Sequence, residues 1–214
     1  NGTTASSGVS NLVDGVTVRL FDADAQATVD TVAGASVTID TNINQTTGTM
    51  SVTDAVGVTL TTTGTTAITD TFNGVVLDND DTTTLTVVGS VTAAADLITG
   101  NITGSDSLTS ASITTGTNGA DATVGTLADA DSLTSLTITA DNGDATIGDV
   151  GGTGSGENLA SVTLSATNGA TATLGVTTAD TTNSASDLAM TVTAATESGA
   201  SVVLGDTFTI WGLR

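Results

Sequence analysis

The side chains of this chain that could do chemistry are carboxylates gathered in short turns. The densest group packs four oxygen-bearing side chains into one turn, and two further turns each hold a pair of aspartates. The residues are Asp78, Asn79, Asp80 and Asp81, then Asp129 and Asp131, then Asp141 and Asp144. Calcium takes its ligands from carboxylates, amides and carbonyls, and turn residues supply them well. The sequence therefore predicts bound Ca²⁺ at one or more of these turns.

The same turns have a second interpretation, in which their aspartates are simply solvated. Asp is common in exposed turns because its side chain hydrogen-bonds to nearby backbone groups. This explanation serves for any single cluster. The whole chain, however, has a formal net charge of −21, from 23 acidic residues against two basic ones. A cation bound somewhere on the chain would relieve part of that repulsion.

Most catalytic arrangements are excluded by residue types that the chain lacks. There is no His, Cys or Tyr, and both basic residues are Arg, so no Ser-His-Asp set, Cys-His pair or Schiff-base lysine can be built. A pair of carboxylates remains, but such a site needs an apolar, aromatic-lined pocket to raise one pKa. Trp211 is the only Trp. We predict no enzymatic activity, with a polysaccharide-acting β-helix enzyme as a minor alternative.

The charge balance also restricts the partners. Phosphate contacts need Lys and Arg, so nucleic acid is excluded as a plausible partner, and anionic membrane surfaces are disfavoured. The sequence has no apolar run of the length that predicts a transmembrane helix. It begins with Asn and shows no signal peptide, so we expect a processed or fragmentary chain whose targeting segment has been removed.

Two groups of residues are candidates for contacts with another copy of the chain. The C-terminal segment 206–214 differs from the rest because it holds the only Trp. It either caps the array or inserts beside a neighbouring subunit. Its candidate assembly residues are Phe208, Ile210, Trp211 and Arg214. Arg19 lies among apolar residues, so it either pairs with an Asp of its own chain or meets an acidic face of another copy.

The elements that must position these residues recur along the chain. Three units run from an alternating segment through Asn-Gly to Ala-Thr-x-Gly, with leading leucines Leu108, Leu133 and Leu159, and a looser fourth copy begins at Leu188. Residues 1–105 contain similar short strands and Gly or Asn-Gly turns, but without the regular spacing of the later repeats. They are either degenerate units of one array or a separate β domain. We predict a degenerate N-terminal β-repeat region at 1–105, four repeats of 25–29 residues at 106–205, and a capping or interaction segment at 206–214.

Composition and alternation indicate an all-β fold, because Thr is the commonest residue and the β-branched shape that Thr shares with Val favours strands. One architecture is a β-solenoid, similar to a parallel β-helix, in which each unit is one coil. Like residues then stack, with Leu on Leu inside and Thr on Thr outside. The alternative is an antiparallel β-sandwich of hairpin repeats, because Asn-Gly between alternating strands is a strong hairpin signal. We favour the solenoid, since whole units recur regularly.

Two repeated segments resemble a known class of proteins. Leu-Thr-Ser-Leu-Thr-Ile and Asn-Gly-Ala-Thr-Ala-Thr-Leu-Gly look like the Thr-, Ala-, Gly- and Asp-rich repeats of large secreted bacterial surface proteins, including proteobacterial S-layer proteins and related adhesins. The acidic, Cys-free composition is similar as well. The resemblance implies export to the cell surface, calcium-dependent folding or assembly, and polymerisation into sheets, tubes or filaments.

These observations lead to two principal hypotheses for function. The first is a secreted, self-assembling structural protein of the bacterial cell surface, the subunit of an S-layer, sheath or filament, whose partners are copies of itself. The second is an adhesin stalk or binding module that presents a separate distal domain. Ordered polymers formed by the purified protein would separate the first hypothesis from the second.

Overall fold

The chain folds as a β-solenoid in a computed structural model. The structure describes residues 7–20, 26–41, 49–63, 69–78, 80–90, 95–115, 118–151, 159–175, 189–195 and 199–205. Over these ranges the secondary structure is strand and turn, and every strand pair is parallel. The predicted all-β solenoid is confirmed, and the alternative sandwich of antiparallel hairpins is wrong.

The described ranges contain fifteen strands, and most are short. They are β1 (Ser7–Leu12), β2 (Val16–Leu20), β3 (Ala27–Thr41), β4 (Thr49–Thr62), β5 (Asp70–Val76), β6 (Thr84–Val88), β7 (Leu97–Thr103), β8 (Ser110–Thr114), β9 (Ala122–Leu127), β10 (Ser135–Asp141), β11 (Ala145–Val150), β12 (Ser161–Thr167), β13 (Thr171–Leu174), β14 (Ala189–Ala194) and β15 (Ser201–Leu204). Within the same ranges, no helix has the length and apolarity needed to cross a membrane.

Successive strands alternate between two faces of the solenoid. The long strand β4 belongs to both, because its N-terminal part pairs with β5 and its C-terminal part pairs with β6. The first face consists of β2, the C-terminal parts of β3 and β4, β6, β8, β10, β12 and β14. The second face consists of β1, the N-terminal parts of β3 and β4, β5, β7, β9, β11, β13 and β15.

One aliphatic side chain from each strand of the first face lies in a common interior ladder. Its members are Val18, Ile39, Leu60, Val87, Ile113, Ile138, Leu164 and Val192. The six inner members are fully buried, and burying one such side chain contributes about 1.5–3 kcal/mol. Stacking of aliphatic residues on their counterparts therefore builds the core, as the repeat predicted.

One column of outward side chains on the first face forms a second ladder, made of hydroxyl residues. Its members are Thr17, Thr38, Thr59, Thr86, Ser112, Thr137, Thr163 and Thr191. Pairs of Thr directly opposite one another on adjacent strands stabilise a sheet. The predicted stacking of Thr on Thr outside the solenoid is confirmed on this face.

The Asn-Gly pairs turn the chain from one face to the other and do not reverse it. Asn118, Asn142 and Asn168 have φ of 88°, 61° and 53°, in the left-handed region that Asn tolerates better than most residues. They stand between β8 and β9, between β10 and β11, and between β12 and β13. The strand after each corner pairs in parallel with its counterpart in the adjacent coil. Hairpin turn residues thus serve here as corners of a coil.

A column of glycines lies along the second face, where the backbones of neighbouring coils come close together. Gly125, Gly148 and Gly175 each follow the Ala-Thr-x segment of a repeat. A Cβ atom on Gly148 would overlap the carbonyl oxygen of Gly125, and a Cβ atom on Gly175 would overlap that of Gly148. The repeated glycine is therefore required by the space between coils, since only Gly lets two backbones approach this closely.

Candidate metal centre and assembly edges

Three carboxylates meet at one corner of the solenoid, and we call Asp54, Asp78 and Asp81 the Asp54 cluster. One carboxylate oxygen from each residue lies within 4.8 Å of the other two. Asp54 lies inside β4 with φ of 59°, where the strand leaves the second face for the first. Asp78 and Asp81 follow β5. Stacking of the coils thus brings together residues that are 24 positions apart in the chain.

Backbone donors fix the central carboxylate of this cluster. The N–H of Asp54 donates to Asp78 Oδ2 at 3.0 Å, and the N–H of Asp80 donates to Asp78 Oδ1 at 3.2 Å. On the other side of Asp54 lies Asp30, whose Oδ1 accepts a hydrogen bond from Thr53 Oγ1 at 2.9 Å. A fourth carboxylate therefore stands beside the cluster.

The electrostatics of the corner are unfavourable for ionised carboxylates. Burial raises the pKa of the Asp54 carboxyl above its ordinary value, and repulsion from Asp30, Asp78 and Asp81 raises it further. Among the described residues the one basic side chain is Arg19, which is bonded to Asp40. Carboxylate oxygens gathered in this way suit a hard divalent cation such as Ca²⁺.

The sequence-based prediction for this corner identified part of the cluster. Asp78 and Asp81 do come together, whereas Asp80 is exposed and contributes its backbone N–H to Asp78. Asn79 lies outside the described residues. Asp54 was missed because it lies one coil earlier, in the part of the chain where the repeat is degenerate. Its separation from Asp78, close to the length of one repeat, is the signal that could have found it.

The second predicted pair lies at the corner that follows β9. Asp129 and Asp131 are both exposed, and Asp129 has φ of 57°. Within the part of the chain that the structure describes, they join no group of three ligating carboxylates. Exposure of both residues is what the solvated-turn interpretation expects.

The third predicted pair is separated by the corner between β10 and β11. Asp141 Oδ1 accepts hydrogen bonds from Asn168 Nδ2 at 2.6 Å and from Thr167 Oγ1 at 2.9 Å. These bonds, the one from Asn168 first, hold the pKa of the Asp141 carboxyl below its ordinary value. The carboxylate therefore links its corner to the corner of the next coil.

Asp144 belongs to a different structural device, a ladder of aspartates that precede the strands of the second face. Asp96 Oδ1 accepts the N–H of Asp121 at 2.9 Å, and Asp121 Oδ1 accepts the N–H of Asp144 at 2.7 Å. Asp144 Oδ1 in turn accepts the N–H of Thr171 at 2.7 Å. Burial raises the pKa of Asp121. Each carboxylate binds the backbone of the following coil, so the ladder helps to set the register.

Arg19 pairs with an aspartate of its own chain, as one of the two sequence-based alternatives predicted. Its Nε lies 3.1 Å from Asp40 Oδ2, and its side chain is 61% exposed while that of Asp40 is buried. Thr63 Oγ1 donates to the same oxygen at 2.7 Å. Because most of the Arg19 side chain is exposed, its predicted role in contacts with another copy of the chain stays a prediction.

The interior ladders reach solvent at the two ends of the described array. On the last strands Val192 is 49% exposed and Leu204 is 39% exposed, and on the first strand Val9 is 42% exposed. The remaining predicted assembly residues, Phe208, Ile210, Trp211 and Arg214, lie outside the described residues. The end strands are therefore the described parts of the molecule where the core is least covered.

Comparison with known proteins finds no similar family model, curated protein or solved structure. Function is therefore inferred from the geometry of the chain itself. The described residues offer a corner rich in carboxylates, end strands with exposed apolar side chains, and a repetitive outer surface.

Proposed function

We propose that this chain is a structural subunit that assembles with copies of itself into an S-layer, sheath or filament on the outside of a bacterial cell. The proposal depends above all on the end strands of the described array, where apolar side chains of the interior ladders are exposed. A solenoid buries the apolar surface of each coil against the next coil. A coil at the end of the array can bury its surface against a second copy.

The two ends of the first face carry matching residues. The sequence Val16-Thr-Val18 on β2 and the sequence Met190-Thr-Val192 on β14 occupy equivalent ladder positions. A β2 strand placed against β14 of another copy would therefore continue the aliphatic and hydroxyl ladders in parallel. Strand addition of this kind supplies main-chain hydrogen bonds together with side-chain packing. Because the two ends are different surfaces, such contacts are head-to-tail, and where they continue the axis of the solenoid they produce an open filament.

The acidic composition fits an assembly on the cell exterior. A net charge of −21 on 214 residues keeps the long sides of the subunit mutually repulsive, which favours contacts through the ends. Cys is absent, as is frequent in the secreted bacterial surface proteins that the repeats resemble. On this proposal the protein has no enzymatic role.

Calcium has a defined place in the proposal, at the Asp54 cluster. A divalent cation there would neutralise the repulsion that raises the Asp54 pKa, and it would be shared by carboxylates of two coils. Cation binding at such a corner stabilises the folded state because the unfolded chain lacks the site. We propose Ca²⁺ as the bound ion, held weakly as in extracellular modules.

Electron microscopy of the purified chain tests the proposal. We expect filaments, sheets or tubes in millimolar calcium, with a repeat along the polymer that equals the length of one subunit. Monomers that persist across calcium and protein concentrations would overturn the proposal and favour the alternative of an adhesin stalk or binding module. Val192→Lys, on the exposed end strand, should abolish polymers. The matched control is Val76→Lys, which is exposed away from the ends and should leave polymers unchanged.

A further inference from the structure

The three Asn-Gly corners that lead from the first face to the second are alike in sequence and differ in one contact. Asn118 and Asn168 both occur in the sequence Thr-Asn-Gly-Ala, and Asn142 occurs in Asp-Asn-Gly-Asp. All three asparagines are exposed and have positive φ. The side-chain amide of Asn168 donates to Asp141 Oδ1 at 2.6 Å. The corners therefore allow a comparison in which local sequence is constant and one hydrogen bond changes.

An Asn side chain that is followed by Gly reacts with its own backbone, and Asn is among the thermolabile residues of proteins. The backbone nitrogen of the Gly attacks Cγ of the Asn and forms a bond to it. The bond from Cγ to Nδ2 breaks, and ammonia leaves with the proton of the Gly N–H. Water then opens the resulting succinimide ring at either carbonyl carbon, which gives aspartate or isoaspartate. Gly favours this reaction because it has no side chain to shield its nitrogen.

The fold itself requires Gly after the asparagine. A Cβ atom on Gly119 would lie 2.8 Å from the Asn142 carbonyl oxygen, and a Cβ atom on Gly143 would lie 2.8 Å from the Gly119 carbonyl oxygen. Both distances are shorter than those that real Cβ atoms show. Gly119 also has φ of 79°, which residues with a side chain rarely adopt. Packing between coils therefore keeps the reactive pair in place.

At two of the corners the reacting groups have no protein partner. Within the described ranges, the side-chain amides of Asn118 and Asn142 make no hydrogen bond to protein. The N–H groups of the glycines that follow them are equally without a hydrogen bond there. Both asparagines are exposed, so water reaches the amide and the ring that forms from it. The nitrogen and Cγ therefore approach each other without breaking a hydrogen bond of either group.

The third corner holds its amide in place. Asp141 Oδ1 accepts hydrogen bonds from Asn168 Nδ2 at 2.6 Å and from Thr167 Oγ1 at 2.9 Å. These bonds, the one from Asn168 first, lower the pKa of the Asp141 carboxyl, so the acceptor is ionised at neutral pH. Hydrogen bonds to an ionised acceptor are stronger than those between neutral groups. Reaction at Asn168 must break this bond, and its product would place two carboxylates side by side.

We propose that Asn118 and Asn142 are sites of spontaneous deamidation in the folded protein and that the hydrogen bond to Asp141 protects Asn168. Each event consumes one water, releases one ammonia and adds one negative charge to an exposed corner. The isoaspartate product also adds one carbon atom to the main chain at that corner. This modification requires neither assembly nor a bound cation, so its test is separate from that of the proposed function.

Peptide mapping by mass spectrometry tests the proposal on the full chain. The protein is incubated at mildly alkaline pH in ¹⁸O-labelled water, which marks every amide lost during the incubation. We expect Asn118 to react several-fold faster than Asn168, although the two share the sequence Thr-Asn-Gly-Ala. The chain denatured in urea is the control, and there the two sites should react at equal rates because only local sequence remains.

A substitution of the acceptor tests the role of the hydrogen bond. In Asp141→Ala the rate at Asn168 should rise several-fold, toward the rate at Asn118. Asp129→Ala, at an exposed corner, is the matched control and should leave the rates at all three corners unchanged. Circular dichroism verifies that both variants fold, and the comparison of sites within the unsubstituted chain does not depend on them.

Three outcomes would overturn the proposal. The first is the absence of label at Asn118 and Asn142 in the folded chain. The second is an equal rate at Asn118 and Asn168 in the folded chain, which would show that local sequence alone sets the reaction. The third is an unchanged rate at Asn168 in folded Asp141→Ala.

Discussion

The backbone N–H of Asp54 donates to Asp78 Oδ2 at 3.0 Å, and this bond holds two carboxylates of successive coils side by side. The arrangement is costly without a cation, because burial and the neighbouring acids raise the Asp54 pKa. The same arrangement creates a site for a divalent ion. Removing one charge from the Asp54 cluster should therefore raise the stability of the fold without calcium and reduce the stabilisation that calcium gives.

Asp54→Asn tests this expectation. In chelator the variant should melt at a higher temperature than the unsubstituted chain, because repulsion within the Asp54 cluster is reduced. In millimolar calcium it should gain less stability than the unsubstituted chain, because one anionic ligand is lost. Melting curves followed by circular dichroism in both conditions give the comparison. Asp129→Asn, at an exposed corner, is the control and should keep the calcium response; equal calcium responses in all three proteins would reject the site.

Asp70 gives a second prediction, for the dependence of stability on pH. Asp70 is buried, and burial raises the pKa of its carboxyl. Repulsion from Asp40 raises this pKa further, whereas the hydrogen bond from Thr62 lowers it. The folded state therefore binds a proton more readily than the unfolded state. The stability contributed by this group is fully present below the unfolded pKa and is lost as pH rises through the folded pKa.

Asp70→Asn should flatten that dependence, since the amide oxygen still accepts from Thr62 and no longer titrates. Urea midpoints measured from neutral pH down through the ordinary range of Asp should rise more steeply for the unsubstituted chain than for the variant. Asp106→Asn, which is exposed, serves as the control and should follow the unsubstituted chain. Parallel profiles for Asp70→Asn and the unsubstituted chain would contradict the assignment.

The glycine column gives a third prediction. Gly148→Ala should destabilise the fold by about 1–3 kcal/mol, the usual cost of forcing extra atoms into a packed region, because its Cβ would overlap the Gly125 carbonyl oxygen. Gly74→Ala should be tolerated, since its Cβ would lie 3.5 Å from the nearest atom, the Asn101 carbonyl oxygen. Denaturant unfolding of both variants checks the difference, and equal stability would show that the coils separate without cost.

The architecture was predictable because the repeat and the alternation carry the same information. In Leu136-Thr-Ile138 the apolar residues recur at every second position, and their counterparts recur in Val162-Thr-Leu164. Regular recurrence of whole units distinguished stacked coils from hairpins. The Asn-Gly pairs favoured the wrong alternative, because positive φ at Asn suits a corner as well as a hairpin.

The candidate site was only partly predictable, since its residues meet across coils. Asp78 and Asp81 lie in one turn and were found, but Asp54 depends on the register of β4 against β5. That register is not visible in the first hundred residues, where the units are degenerate. The bonds of Asp141 to Thr167 and Asn168 were missed for the same reason. The sequence of a turn does not tell whether its carboxylate accepts hydrogen bonds from water or from the next coil.

The interior ladder from Val18 to Val192 stacks equivalent residues through the described coils of the first face, and this affects how the gene could change. Duplicating the segment that encodes one coil would insert a unit whose upper and lower surfaces already match its neighbours. The protein would become longer by one strand spacing on each face, while its two ends would stay the same. The length of the subunit is therefore free to vary in whole coils between related genes without redesign of the core or of the end surfaces.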